Sequence, residues 1–126
     1  MHTTLTDDQM EALGDKEFTC IIFVHSESTP CIDALSRFDT TAEALNNHCT
    51  LLILSNEEAW IEEILRKQIG FKEYTLAFDK DNRTFKAFGI RYVPFAVIYR
   101  TKNSRIEWFG PLHHINSKLI KDISKR

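Results

Sequence analysis

Read for its apolar and polar positions, the chain alternates between short unbroken apolar runs and stretches of helical period. Phe18 to Val24 is a continuous apolar and β-branched run, the pattern of a strand covered on both faces of a sheet, and Cys49 to Leu54 repeats it. Between them Leu35, Phe38, Ala42 and Leu45 recur at helical spacing after Pro30, which predicts one helix joining two parallel strands through a right-handed crossover. Ser55 with Glu58 has the spacing of a capping box, Trp60, Ile61, Ile64 and Leu65 mark one face of a second helix, and Gly70 supplies its stop. Tyr74 to Asp79 reads as a short strand or an extended lead-in, and Arg83 to Phe88 as a brief helix closed by Gly89. Phe95 to Arg100 and Arg105 to Phe109 are separated by four polar residues, a link short enough only for an antiparallel hairpin. Leu119, Ile120 and Ile123 predict a closing amphipathic helix, and Leu5 to Gly14 an opening one, with Thr6 as N-cap and Gln9 completing its capping box.

No repeat, low-complexity tract or linker interrupts this order, so residues 1–126 are expected to form a single domain. A length of 126 residues can bury a core without disulfides or metals. A net charge of -2 with 27% charged residues carries no nucleic-acid signal, and Trp60, Trp108 and the nine phenylalanines are read as core because no basic residues interleave with them. No apolar run approaches the roughly 20 residues that span a bilayer, and Met1-His2-Thr3-Thr4 lacks the basic and apolar parts of an export signal. The expected location is therefore cytoplasmic as written, or extracytoplasmic where a leader or anchor has been removed.

The candidate chemistry lies in Ser28-Thr29-Pro30-Cys31, between the end of the first strand and the start of the first helix. A cysteine at a helix N-terminus has its thiolate favoured by unpaired backbone N–H groups and the positive end of the helix dipole. Ser28 is well placed as an N-cap, its oxygen taking the backbone N–H of Cys31. His25 could in principle activate Ser28 for acyl transfer, but no third group that would orient the histidine is visible. Cys20 and Cys49 open two neighbouring strands and read as small buried apolar residues, with a disulfide between them disfavoured. His113-His114 has no accompanying ligand cluster, so no metal or other cofactor is expected.

The order of elements and three local features resemble the thioredoxin-like superfamily. Phe23 to Cys31 resembles its strand end and Cys-x-Pro-Cys helix start, Tyr92-Val93-Pro94 its cis-proline loop, and Arg105 to Gly110 its last strand ending in glycine. Phe88-Gly89-Ile90-Arg91-Tyr92-Val93-Pro94-Phe95 is similar to the Tyr-Gly-Val-x-x-x-Pro stretch of thioredoxins and of the TlpA-like branch. The resemblance implies an α/β thioredoxin fold, a central mixed sheet flanked by helices on both faces. It also implies a thiol–disulfide site at Ser28 and Cys31, with Thr29, Pro30, Val93 and Pro94 forming the surface that meets protein thiols, disulfides or an extended peptide.

Three departures bear on that activity. Ser28 stands where the attacking cysteine is expected, and an unassisted hydroxyl neither ionises near neutrality nor forms a disulfide. The family's buried acid on the central strand is replaced by Ile22, and the tryptophan before its motif by Glu27, whose charge disfavours a nearby thiolate. The expectation is a thioredoxin-like redox protein that is inactive or monothiol as written. A non-catalytic peptide-binding module is the alternative. A one-cysteine peroxidase ranks behind both: Ser28 and Cys31 have that family's spacing, but Val24 replaces its expected proline.

Overall fold

A computed structural model describes residues 16–125; the helix expected over residues 5–14 lies outside them. Five strands form one mixed sheet: β1 (Phe18–Val24), β2 (Cys49–Ser55), β3 (Thr75–Phe78), β4 (Phe95–Arg100) and β5 (Ile106–Pro111), in the order β3-β2-β1-β4-β5. β1, β2 and β3 run parallel, whereas β4 is antiparallel to β1 and β5 to β4. The helices are α1 (Thr29–Arg37), α2 (Asp39–Asn46), α3 (Glu62–Gln68), α4 (Arg83–Ala87) and α5 (Ser117–Ser124). No helix among the described residues is long and apolar enough to cross a membrane.

Alternation along the strands divides the core in two. Cys20, Ile22 and Val24 of β1 join Leu51, Ile53, Ala96 and Ile98 under α1, α2, α3 and α5. Ile21 and Phe23 point the other way, with Leu52, Leu54, Val97 and Tyr99, and are covered by Phe85 of α4. All seven β1 residues are buried, which is why their sequence shows no polar alternation.

Three sequence expectations are corrected. The helix expected to run from Pro30 to Leu45 is two helices, broken at Phe38, whose φ of -84° and ψ of 6° leave the helical region. Phe38 turns into the core against Phe71, the chain restarts with Ala42 N–H donating to the Phe38 carbonyl, and Asp39 takes the Thr40 N–H into its side chain. The Ser55–Glu58 capping box does not form: Ser55 ends β2 with its hydroxyl bound to Glu57, and α3 begins later, after a 3-10 turn over Ala59–Ile61. That later start turns Ile61 and Leu65 inward and leaves Trp60 77% and Ile64 45% exposed, so Trp60 is not core. Phe109 is likewise at the surface, 66% exposed, so it is not core either.

Candidate functional site

β1 delivers the chain to the loop His25 to Ser28, and Ser28 starts α1. In the extended conformation (φ -82°, ψ 113°), Ser28 accepts the Cys31 backbone N–H on Oγ at 3.3 Å, while its carbonyl takes the first helical hydrogen bond, from Ile32, at 3.0 Å. Its oxygen thus serves the helix end. Cys31, one turn on, has no exposed surface and packs into the core beside Leu35. Burial pushes its thiol above the ordinary cysteine value, outweighing hydrogen bonds from Ser28 and the His25 backbone, and the carboxylate of Glu57 pushes in the same direction.

Glu57 is the member of the site that sequence reading missed. Its carboxylate accepts the Ser26 backbone N–H at 2.7 Å, the Ser26 hydroxyl, and the Ser55 hydroxyl at 2.8 Å, and lies 3.8 Å from His25 Nδ1. Burial alone would raise its pKa; the hydrogen bonds from Ser26 and Ser55 reverse the effect and hold it below the usual carboxylate range. Gln68 of α3 adds a second tether, donating to the Ser26 carbonyl at 3.0 Å. The available signal was a Ser-x-Glu triplet closing a buried strand, at Ser55 and Glu57.

His25 is not set up to activate Ser28. Its Nδ1 accepts the Glu27 backbone N–H at 3.1 Å, and the Ser28 oxygen accepts the Cys31 backbone N–H, so both groups are engaged with backbone and not with each other.

The Val93–Pro94 peptide is cis. Ser28 and Val93 line one cleft of about 390 Å³, shared with His25, Asn56, Arg91 and Tyr92. Pro30 and Pro94 line a second cleft of about 370 Å³, with Phe38, Leu112 and Ile115. The fold thus brings the start of α1 beside the loop before β4, although more than sixty residues separate them in the chain. Thr29 is exposed at the helix start and lines neither cleft. Cys20 and Cys49 are free and buried on one face of the sheet; Cys20 lies opposite Leu51 and Cys49 opposite Phe18, so the two are offset along their strands. His113 and His114 are exposed in a 3-10 turn.

No family model and no curated protein matches the sequence. Solved structures do match by shape. The exposed lipoprotein thioredoxin of Streptococcus pneumoniae is 14% identical with a TM-score of 0.70, over 93% of this chain and 90% of its own. A secreted disulfide oxidoreductase of Mycobacterium tuberculosis is 13% identical with a TM-score of 0.64, over 96% of this chain and 100% of its own. The mitochondrial 2-Cys peroxiredoxin of Plasmodium falciparum is 18% identical with a TM-score of 0.66, over 92% of this chain and 78% of its own. The chain has the thioredoxin-like fold, and since neighbours of different activity share it, activity must be argued from the site.

Proposed function

We propose that this chain is a single thioredoxin-like domain whose redox site is silent as written, and that it works by holding an extended stretch of polypeptide against the Ser28 and Val93 surface. The observation that carries the reading is the burial of Cys31 beneath a Ser28 oxygen committed to the helix cap. Thiol exchange needs a thiolate that its target can reach. Cys31 is covered and its ionisation is suppressed, which argues against both monothiol exchange and a one-cysteine peroxidase. What stays open to solvent is a cleft beside Val93, where a backbone next to the sheet can pair with an extended chain.

A silenced oxidoreductase is the second reading, supported by where Ser28 sits. A thiol at this position would face the cleft at a helix N-terminus, with Cys31 three residues on to resolve a mixed disulfide. Insulin-disulfide reduction separates the two: the protein as it stands should be inert, and Ser28→Cys should create turnover if the machinery of exchange is otherwise present. Absence of any gain favours the binding module. Binding itself is read by amide shift changes at Ser28 and Val93 on titrating short extended peptides, and unmoved resonances with every peptide would sink it.

A further inference from the structure

The cleft beside Ser28 has two unlike walls. On one side stands Glu27, exposed and acidic. On the other stand Phe85 of α4 and residues Ile90 to Val93, part of the segment from Lys80 to Val93. There Lys80, Arg83, Lys86 and Arg91 are all exposed, against the exposed acid Asp81 alone; the carboxylate of Asp79 is buried and receives the Thr84 and Phe85 backbone N–H groups at 3.0 and 2.8 Å. Among the described residues none of the four cations enters an ion pair. Arg91 lines the cleft itself. Arg83 follows Asn82, whose side-chain oxygen takes a hydrogen bond from Asn56 on the cleft wall at 3.1 Å.

From the same wall an aromatic track leads onto β5. Tyr92, 52% exposed, lies edge-on to Phe95 at 5.3 Å between ring centres, and Phe95 meets Phe109, 66% exposed, at 6.3 Å. Rings exposed to this extent beside uncommitted cations offer apolar area at low entropic cost and a charge to pair with it.

We infer that the polypeptide held in this cleft is acidic and aromatic: its carboxylates face Arg91 and the neighbouring Arg83, and an aromatic side chain lies along Tyr92, Phe95 and Phe109. Glu27 sets the direction by repelling carboxylates from the opposite wall. The inference rests on the peptide-binding reading above and adds to it the class of partner.

Four synthetic decapeptides on a Gly-Ser background test it by fluorescence anisotropy: one with Phe and two Glu, one with Phe and two Lys, one with Phe alone and one with two Glu alone. The Phe-Glu peptide should bind about tenfold tighter than the Phe-Lys peptide, from two rim ion pairs gained against two repulsions. Arg91→Glu should narrow that gap at least threefold, and Tyr92→Ala should weaken both Phe-containing charged peptides about fivefold. Both side chains are exposed, so neither change threatens folding. Equal binding of the Glu and Lys peptides, or a gap that Arg91→Glu leaves unchanged, overturns the acidic preference while peptide binding stands. If Tyr92→Ala has no effect, the aromatic track is wrong. If none of the four peptides binds, the inference and the reading beneath it fall together.

Discussion

The carboxylate of Glu57 holds the backbone N–H of Ser26 at 2.7 Å, a bond between residues 31 apart in the sequence. It ties the turn after β2 to the loop after β1, so the position of Ser28 at the head of α1 depends on a residue outside the four-residue motif.

Replacing Glu57 by glutamine should therefore cost about 1–3 kcal/mol, since the Ser26 and Ser55 donors lose a charged acceptor in a mostly buried place. The sign with pH follows from a folded-state pKa below the unfolded one. Stability from Glu57 is present above the unfolded value of about 4.3 and is lost as pH falls through the folded value. Urea unfolding from pH 7 to pH 3 should give a steeper acid loss for the parent than for Glu57→Gln. Parallel curves would show that the carboxylate does not clamp the loop.

Buried thiols set the alkaline limit. Cys49 is pushed up to about 12 by burial, and Cys20 and Cys31 are raised as well. Below an unfolded value of about 8.5 each thiol keeps its proton in both states and stability is at its full value. Above it only the unfolded chain ionises, so stability falls by up to about 1.4 kcal/mol per pH unit for each thiol until the folded pKa is reached. Cys49→Ala should flatten the decline between pH 9 and pH 11, measured by chemical unfolding; an unaltered slope would mean that Cys49 is solvated.

In the native protein, iodoacetamide at neutral pH should label Cys31 at a small fraction of the rate found in urea, because the thiol has no exposed surface and resists ionisation. Mass spectrometry of timed samples gives both rates. Comparable rates would place Cys31 in reach of solvent and revive monothiol chemistry.

Two glycines should respond differently to alanine. A Cβ at Gly70 would stand 2.9 Å from the Ser36 carbonyl oxygen, where α3's end crosses α1, and the Gly70 N–H already donates to the Leu35 carbonyl. Gly70→Ala should cost about 1–3 kcal/mol through displacement of packed backbone. Gly89 has open space but a φ of +63°, so Gly89→Ala should cost about 1 kcal/mol, and Gly89→Asn less, as asparagine tolerates that conformation. Thermal unfolding of the three variants compares them directly.

Trp60→Ala should leave stability within about 0.5 kcal/mol of the parent, as the side chain is 77% exposed. A large loss would mean that Trp60 is packed against something in solution.

The order of strands and helices was legible in the chain because burial writes itself locally. A strand covered on both faces, such as Phe18–Val24, needs every residue apolar, and the Ser28 cap needs only a hydroxyl three residues before Cys31. Local pattern failed where an element's phase was set by distant contacts. Leu35, Phe38, Ala42 and Leu45 all reach the core as their spacing implied, yet Phe38 does so by breaking the helix, a choice made by Phe71 across the interface. Trp60 keeps helical spacing with Ile64, yet the hydrogen bonds of Ser55 to Glu57 delay the helix and both side chains face outward. The sequence alone determined which segments are strands or helices and that a serine stands three residues before Cys31. Only the tertiary structure decided that Cys31 is sealed, that Glu57 governs the loop, and that Arg91 and Tyr92 stand at the cleft with Ser28. Those outcomes depend on packing between residues far apart in the chain, whose energies no local spacing encodes.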